Sequence, residues 1–278
     1  MHRELYGCEL EPLSIHTDGE LAAIRAFEEV YFTAKIKLCT VHFFRAWDSQ
    51  LEDIMGKTYK TNKIVCTIRT IIRGCVYIEH TEVIRNRLVG FIGDLAKELK
   101  GNLKTQMRKY IKYLVTNYFS LKARYPHKWW NYQKDVLNGN NNMSNNAAES
   151  QNRQFKTTFN YGHKDFHKAV GGIQKYKSKC RRKYAEKVDG NCLNRVRRKT
   201  RIRHQTAAQL LAEFVALPDE KKILYLPNYC IKLALKHPNA DTRLPEIATE
   251  LLPEITIDQD EHPFLNNEHF RFDFALCL

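Results

Sequence analysis

The sequence lacks the features of membrane-spanning and disulfide-stabilised secreted proteins. It contains no apolar run of the roughly 18 residues that a membrane-spanning helix needs, and residues 1–7 lack the apolar core of a signal peptide. Its eight cysteines are scattered along 278 residues without the spacing of a small disulfide framework. We therefore predict a soluble intracellular protein with no membrane partner, whose cysteines are mostly buried thiols.

Acidic residues are scarce relative to basic ones. The chain has 45 Lys and Arg against 31 Asp and Glu, which gives a net charge of +14 and an isoelectric point near 9.4. This balance favours a polyanionic partner, with nucleic acid ahead of an anionic membrane. The 43% of hydrophobic residues suffices for a core, which argues against disorder along the whole chain. No small-molecule cofactor is predicted, since Gly171-Gly172 follows no strand and indicates a kink or break in a helix rather than a phosphate cradle.

Two strongly basic blocks flank an Asn-rich segment. Basic residues outnumber acidic ones by 17 to 4 in residues 57–134 and by 17 to 3 in residues 151–204. The segment between them contains only two acids, Asp135 and Glu149. Each block has two interpretations, a solvated basic face or one side of a DNA-binding channel around Glu149.

The hydrophobic pattern predicts a small α/β part followed by helices. Residues 13–17 and 34–38 have the pattern of short strands, and a helix of roughly 19–31 lies between them. After Gly56, apolar stripes at helical spacing predict a mostly helical chain. The fold class is therefore mainly α with a small α/β part.

Four residues in this pattern have side chains suited to a functional site. Asp18 follows the first strand, where an α/β sheet presents carboxylates to ligands, although Asp-Gly also begins ordinary helices. Glu149 is either a site carboxylate or a capping-box residue three positions after Asn146. Cys39 and His42 share one helical face and are either half of a zinc site or a buried thiol with a hydrogen-bonded imidazole.

Three strings in this order resemble the catalytic domain of Mutator-like element (MULE) transposases. They are IHTDGELAAI at 15–24, CTVHF at 39–43 and SNNAAESQN at 144–152, with Ser144 standing where the family often has Thr. The resemblance covers residues 10 to about 160. It implies an RNase H-like fold, incomplete here, that carries a large helical insertion between the second and third acids of an Asp-Asp-Glu triad.

The resemblance also assigns roles to residues. Asp18 corresponds to the second Asp and Glu149 to the Glu, and both would bind Mg²⁺ or Mn²⁺ for phosphodiester chemistry. Cys39 and His42 correspond to the family's Cys-x-x-His element, for which Zn²⁺ is a further cofactor candidate. The implied partner is DNA, the implied location is the nucleus, and a homo-oligomer is a further expectation.

The first Asp of the triad has no counterpart. Only 17 residues precede Asp18, and their acids, Glu4, Glu9 and Glu11, lie in no hydrophobic strand context. A zinc-knuckle pattern is also absent from the later cysteines. We therefore expect a truncated copy that cannot cleave or join DNA by itself.

The resemblance and the charge pattern divide the chain into four parts. Residues 1–56 form the last part of the RNase H-like core, and 57–140 form a basic helical insertion. Residues 141–190 contain the Glu-bearing helix and a basic helix that close the core. Residues 191–278 form a basic arm followed by an acidic helical or loosely ordered tail.

Several basic residues are candidates for binding DNA phosphates. Arg153 and Lys156 share a helical face with Glu149, and the tract at 195–203 is either a phosphate-binding arm or a nuclear-import signal. The predicted DNA-binding residues are Arg153, Lys156, Arg181, Arg182, Lys183, Arg195, Arg197, Arg198, Lys199, Arg201 and Arg203.

Other functions and roles remain open from the sequence alone. The chain is alternatively a non-enzymatic DNA-binding protein derived from a transposase, or a helical scaffold for protein interactions. Trp129 and Trp130 either stack on bases or anchor the helical insertion. His163 and His167 are spaced to complete a zinc site with Cys39 and His42.

Overall fold

The computed structural model describes most of the chain between residues 11 and 236. It is mainly helical with one small parallel sheet, as the hydrophobic pattern predicted. None of its described helices combines the length and the apolar character needed to cross a membrane. The described residues are 11–140, Met143, Glu149, Ser150, Arg153, Thr157, 166–188 and 198–236.

The chain forms two compact units. The larger takes its described residues from 1–143 and 202–278, and the smaller from 144–201. The helices in chain order are α1 Leu21–Val30, α2 Thr40–Met55, α3 Lys63–Gly74, α4 Glu82–Lys97, α5 Gly101–Leu114, α6 His127–Trp130, α7 Gln133–Leu137, α8 Phe166–Val188, α9 Arg198–Ala216 and α10 Asp219–Lys236. Short 3₁₀ turns at Gly56–Lys60 and Cys75–Tyr77 and a π-turn at Val115–Phe119 join some of them.

The sheet has two strands joined by a helical crossover. Strand β1 (Ser14–Thr17) lies parallel to β2 (Lys35–Leu38), with α1 between them in sequence. This order confirms the predicted strand–helix–strand pattern. The helix was expected from about residue 19 but begins at Leu21, because Gly19 has a φ of +97° and Glu20 is extended.

Aromatic side chains fill the core next to the sheet. Trp47 of α2 contacts Phe43, Tyr118 and Trp130 with ring centroids 4.2–6.2 Å apart. Trp129 and Trp130 are both buried, and the Trp130 indole N–H donates to the Tyr125 carbonyl. The anchoring interpretation of these tryptophans is therefore confirmed, and stacking on bases is wrong for both because neither ring is exposed.

The last described helix is part of the core. α10 packs against α3 and α4, and its Leu226, Cys230 and Leu233 are fully buried. The acidic charge of residues 205–278 gave no indication of this packing. Residues 237–278 lie outside the described part of the chain.

Candidate metal and nucleic-acid site

The carboxyl ends of the two strands bring the first pair of predicted site residues to one edge of the sheet. Thr17 is the register partner of Leu38, so the residues that follow them, Asp18 and Cys39, lie at the same edge. The Cys39 amide donates to the Thr17 carbonyl at 2.7 Å, which fixes this junction. A functional site is expected at this edge of a parallel sheet.

Asp18 presents an exposed carboxylate there. Its Oδ1 lies 3.5 Å from the amide nitrogen of Glu20 and 3.4 Å from the Thr17 hydroxyl, so both contacts are long. The first residue of α1 is Leu21, whose N-cap Glu20 makes no side-chain cap. Capping therefore contributes little to holding Asp18, and its carboxylate remains accessible to a ligand.

Cys39 and His42 lie on the first turn of α2. Cys39 is the fully buried N-cap residue, and its carbonyl accepts from the Phe43 amide. His42 follows one turn later and is half-buried. The thiol and the imidazole thus lie on neighbouring positions of one helix, as their spacing predicted.

Hydrogen bonds hold the backbone around this turn. The buried Tyr132 hydroxyl donates to the Leu38 carbonyl at 2.6 Å, and burial raises the pKa of this tyrosine well above its usual value. The amide and the hydroxyl of Thr40 both donate to the Met143 carbonyl, at 2.9 and 2.8 Å. These two hydrogen bonds hold the Met143 backbone against the first turn of α2.

Cys39 and His42 are candidate metal ligands on one turn of the larger unit. A thiolate and an imidazole suit Zn²⁺ and similar transition metals, whereas Mg²⁺ prefers oxygen ligands alone. Glu149 is helical and half-buried. Asp18 belongs to the larger unit and Glu149 to the smaller one, so their pairing stays a prediction.

An ion pair beside the sheet was missed by sequence reasoning. Lys37 of β2 contacts Asp135 of α7 at 2.8 Å, with both side chains largely buried, and also donates to the Asn131 carbonyl. Burial lowers the pKa of the neighbouring His16, and Asp135 partly opposes that shift. Asp135 thus pairs within the fold. The only sequence signal for the Lys37–Asp135 pair was a lysine within the alternating pattern of a strand.

The structure describes part of the predicted DNA-binding set. Arg153, Arg181, Arg182 and Arg201 are exposed, and Arg203 is half-buried. The α8 lysines 175, 177 and 179 are also exposed and were absent from the predicted set. Lys156, Arg195, Arg197 and His163 lie outside the described residues, as do the side chains of His167, Lys183, Arg198 and Lys199.

Comparison with known proteins gave no relative. The chain matches no protein-family model, no curated protein and no solved structure.

Proposed function

We propose that this chain derives from a MULE-type DNA transposase and acts as a DNA-binding nuclear protein. The observation that carries the proposal is the β–α–β arrangement, which puts Asp18 and the Cys39-x-x-His42 turn at one edge of a parallel sheet. The finer fold assignment is an incomplete RNase H-like core with a helical insertion that begins after α2. The basic surface of α8 supports DNA as the partner.

Asp18 and Glu149 are the proposed ligands of Mg²⁺ or Mn²⁺. Paired divalent ions activate an attacking oxygen and stabilise the leaving oxygen of a phosphodiester. The proposed site lacks the first Asp, which bridges the two ions in the resembling family. We therefore expect no cleavage or joining of DNA by this chain alone, unless a second subunit supplies the missing carboxylate.

A nicking assay tests the chemistry. Purified protein with Mg²⁺ or Mn²⁺ and duplex DNA is expected to give no nicking above background, and Glu149→Gln is expected to change nothing. Metal-dependent nicking that Glu149→Gln abolishes would contradict this expectation. That result would mean that another carboxylate has taken the position of the missing Asp.

Cys39 and His42 are the proposed ligands of Zn²⁺. Together they supply half of the four ligands of a closed zinc site. Co²⁺ substitution tests it, because a cobalt–thiolate bond gives an intense near-ultraviolet band. We expect Cys39→Ser to lose the band and the control Cys180→Ser to retain it. No band in the wild-type protein, or an equal band in Cys39→Ser, would exclude the site.

The alternative is a DNA-binding protein without catalysis, favoured by the exposed cations of α8. This alternative predicts DNA binding that does not depend on Asp18 or Glu149 but does depend on the basic helix α8. On this alternative, Asp18→Asn with Glu149→Gln leaves DNA affinity unchanged, and replacing Lys175, Lys177, Lys179 and Arg181 with Gln lowers it. A salt titration measures both, since phosphate contacts make affinity fall steeply with salt. A flat titration of the wild-type protein would exclude DNA binding through phosphates.

A further inference from the structure

Helix α5 of the larger unit has one buried face and one basic face. Met107, Tyr110 and Leu114 are almost completely buried, and they lie on the side that packs against α2 and α4. The helix contains no acidic residue. Its other side carries four cations, of which Lys104 is half-buried and the others exposed: Lys104, Arg108, Lys109 and Lys112.

None of these four cations has an ion-pair partner in the part of the chain that the structure describes. Four other exposed lysines of the same unit do have one. Lys60 pairs with Glu52 and Lys97 with Asp94, while Lys128 and Lys134 pair with Glu28 and Glu79. No described acid therefore compensates the charge of the α5 face, unlike that of the paired lysines.

The spacing of the four cations fits a phosphate backbone. Lys104, Arg108 and Lys112 are four residues apart and form one row about 12 Å long, at about 1.5 Å per residue. With Lys109 beside the row, one charge occurs per roughly 4 Å of helix. One strand of duplex DNA carries a phosphate every 3.4 Å or so along its axis.

The packing of α5 keeps this row in place. The buried side of the helix contacts two other helices, and the Tyr110 hydroxyl donates to the Trp47 carbonyl inside the core. The backbone of the basic face is thus fixed before any ligand binds, so binding costs mainly side-chain entropy.

We propose that the basic face of α5 binds the phosphate backbone of duplex DNA. This inference rests on the proposed function for the identity of the partner, and it adds a surface on the larger unit to the cations of α8. Contacts to phosphates position a duplex without reading its sequence. The α5 face therefore contributes affinity and salt dependence, but no base preference.

A matched pair of fourfold variants tests the proposal in the full chain. The α5 variant replaces Lys104, Arg108, Lys109 and Lys112 with Gln, which keeps helix propensity. The control replaces Lys60, Lys97, Lys128 and Lys134 with Gln, and so removes the same charge from paired positions. Circular dichroism confirms that both fold.

Duplex DNA binding is measured across salt concentrations. We expect the α5 variant to bind at least tenfold more weakly at about 150 mM salt, and its slope of log affinity against log salt to be smaller by about 3. The control is expected to change the slope by less than about 1. Equal losses in the two variants would overturn the proposal, because only total charge would then matter.

Two further outcomes of the binding experiments distinguish a failure of the α5 inference from a failure of the proposed function. If the wild-type protein binds DNA but only the α8 variant (Lys175, Lys177, Lys179 and Arg181→Gln) weakens it, the proposed function stands and the α5 inference fails. If the wild-type protein binds no DNA, both fail. Equal binding of polyglutamate or of anionic phosphatidylserine vesicles through α5 would overturn the assignment to nucleic acid.

Discussion

Helices α3 and α5 of the larger unit show two different uses of a helix with basic residues. α3 is buried along most of its length, and its Arg69 and Arg73 are paired with Asp48. α5 buries one face only and leaves its cations without described acid partners. The comparison indicates that the α3 cations, which pair with an acid, support the fold. The α5 cations, which have no described acid partner, are available to a ligand.

The comparison describes α3 as a buried helix, and its close contact with α10 gives the largest expected effect of a substitution. A Cβ added to Gly74 would lie 1.8 Å from the Cys230 carbonyl oxygen, so the two backbones would have to separate. We expect Gly74→Ala to lower the free energy of unfolding by about 3 kcal/mol or more, measured by urea denaturation.

Gly93→Ala in α4 is the matched control for that prediction. Nothing lies within 4 Å of an added Cβ there. Because Ala has a better helix propensity than Gly, this change is expected to stabilise the protein by roughly 0.5–1 kcal/mol. Similar effects of the two changes would contradict the close packing of α3 and α10.

The acid that pairs with the α3 arginines gives the second test. Asp48 contacts Arg69 with two hydrogen bonds of 2.7 Å and also contacts Arg73. Burial lowers the pKa of Arg73, and Asp48 opposes that shift. Asp48→Asn leaves two buried guanidinium groups without their carboxylate, so we expect a loss of about 3 kcal/mol in unfolding experiments. The exposed Asp53→Asn on the same helix is expected to change stability little.

A histidine pair in the aromatic core gives the third test. His80 stacks on His127 with ring centroids 4.2 Å apart. Burial lowers the pKa of both, that of His127 to about 4. The unfolded chain takes up protons below about pH 6.5, while the folded chain does not until lower pH. The contribution of the two neutral histidines to the free energy of unfolding is therefore fully present above pH 6.5 and is lost as the pH drops towards 4.

His127→Phe measures the size of this effect. Denaturation curves at pH 7 and pH 4.5 are compared for the variant and the wild type. Since the variant has no imidazole to protonate at that position, it is expected to lose about 2 kcal/mol less over this interval. Equal losses in both proteins would mean that His127 ionises normally in the fold.

The smallest expected effect concerns the fold stability of the α5 variant. Replacing its four cations with Gln removes no described ion pair. We expect each change to alter the free energy of unfolding by no more than about 0.5 kcal/mol, measured by urea denaturation. A total loss above about 2 kcal/mol would show that the α5 cations support the fold, as those of α3 do.

The elements near the sheet could be predicted because their signals are local. Alternation at residues 13–17 and 34–38 and the apolar period of α1 depend only on neighbouring positions. The position of Asp18 and Cys39 at one sheet edge depends on the parallel pairing of the two strands, which the structure shows. The Lys37–Asp135 pair was not predictable, since its partners are 98 positions apart and neither belongs to a motif.

The sequence by itself determined the helical class, the two strands, the basic character and the side chains suited to a site, because composition and short periods encode these properties. Only the tertiary structure decided that α10 belongs to the core, that both tryptophans are buried and that the α5 cations lack described partners. These facts depend on contacts between residues far apart in the chain, and no local pattern records such contacts.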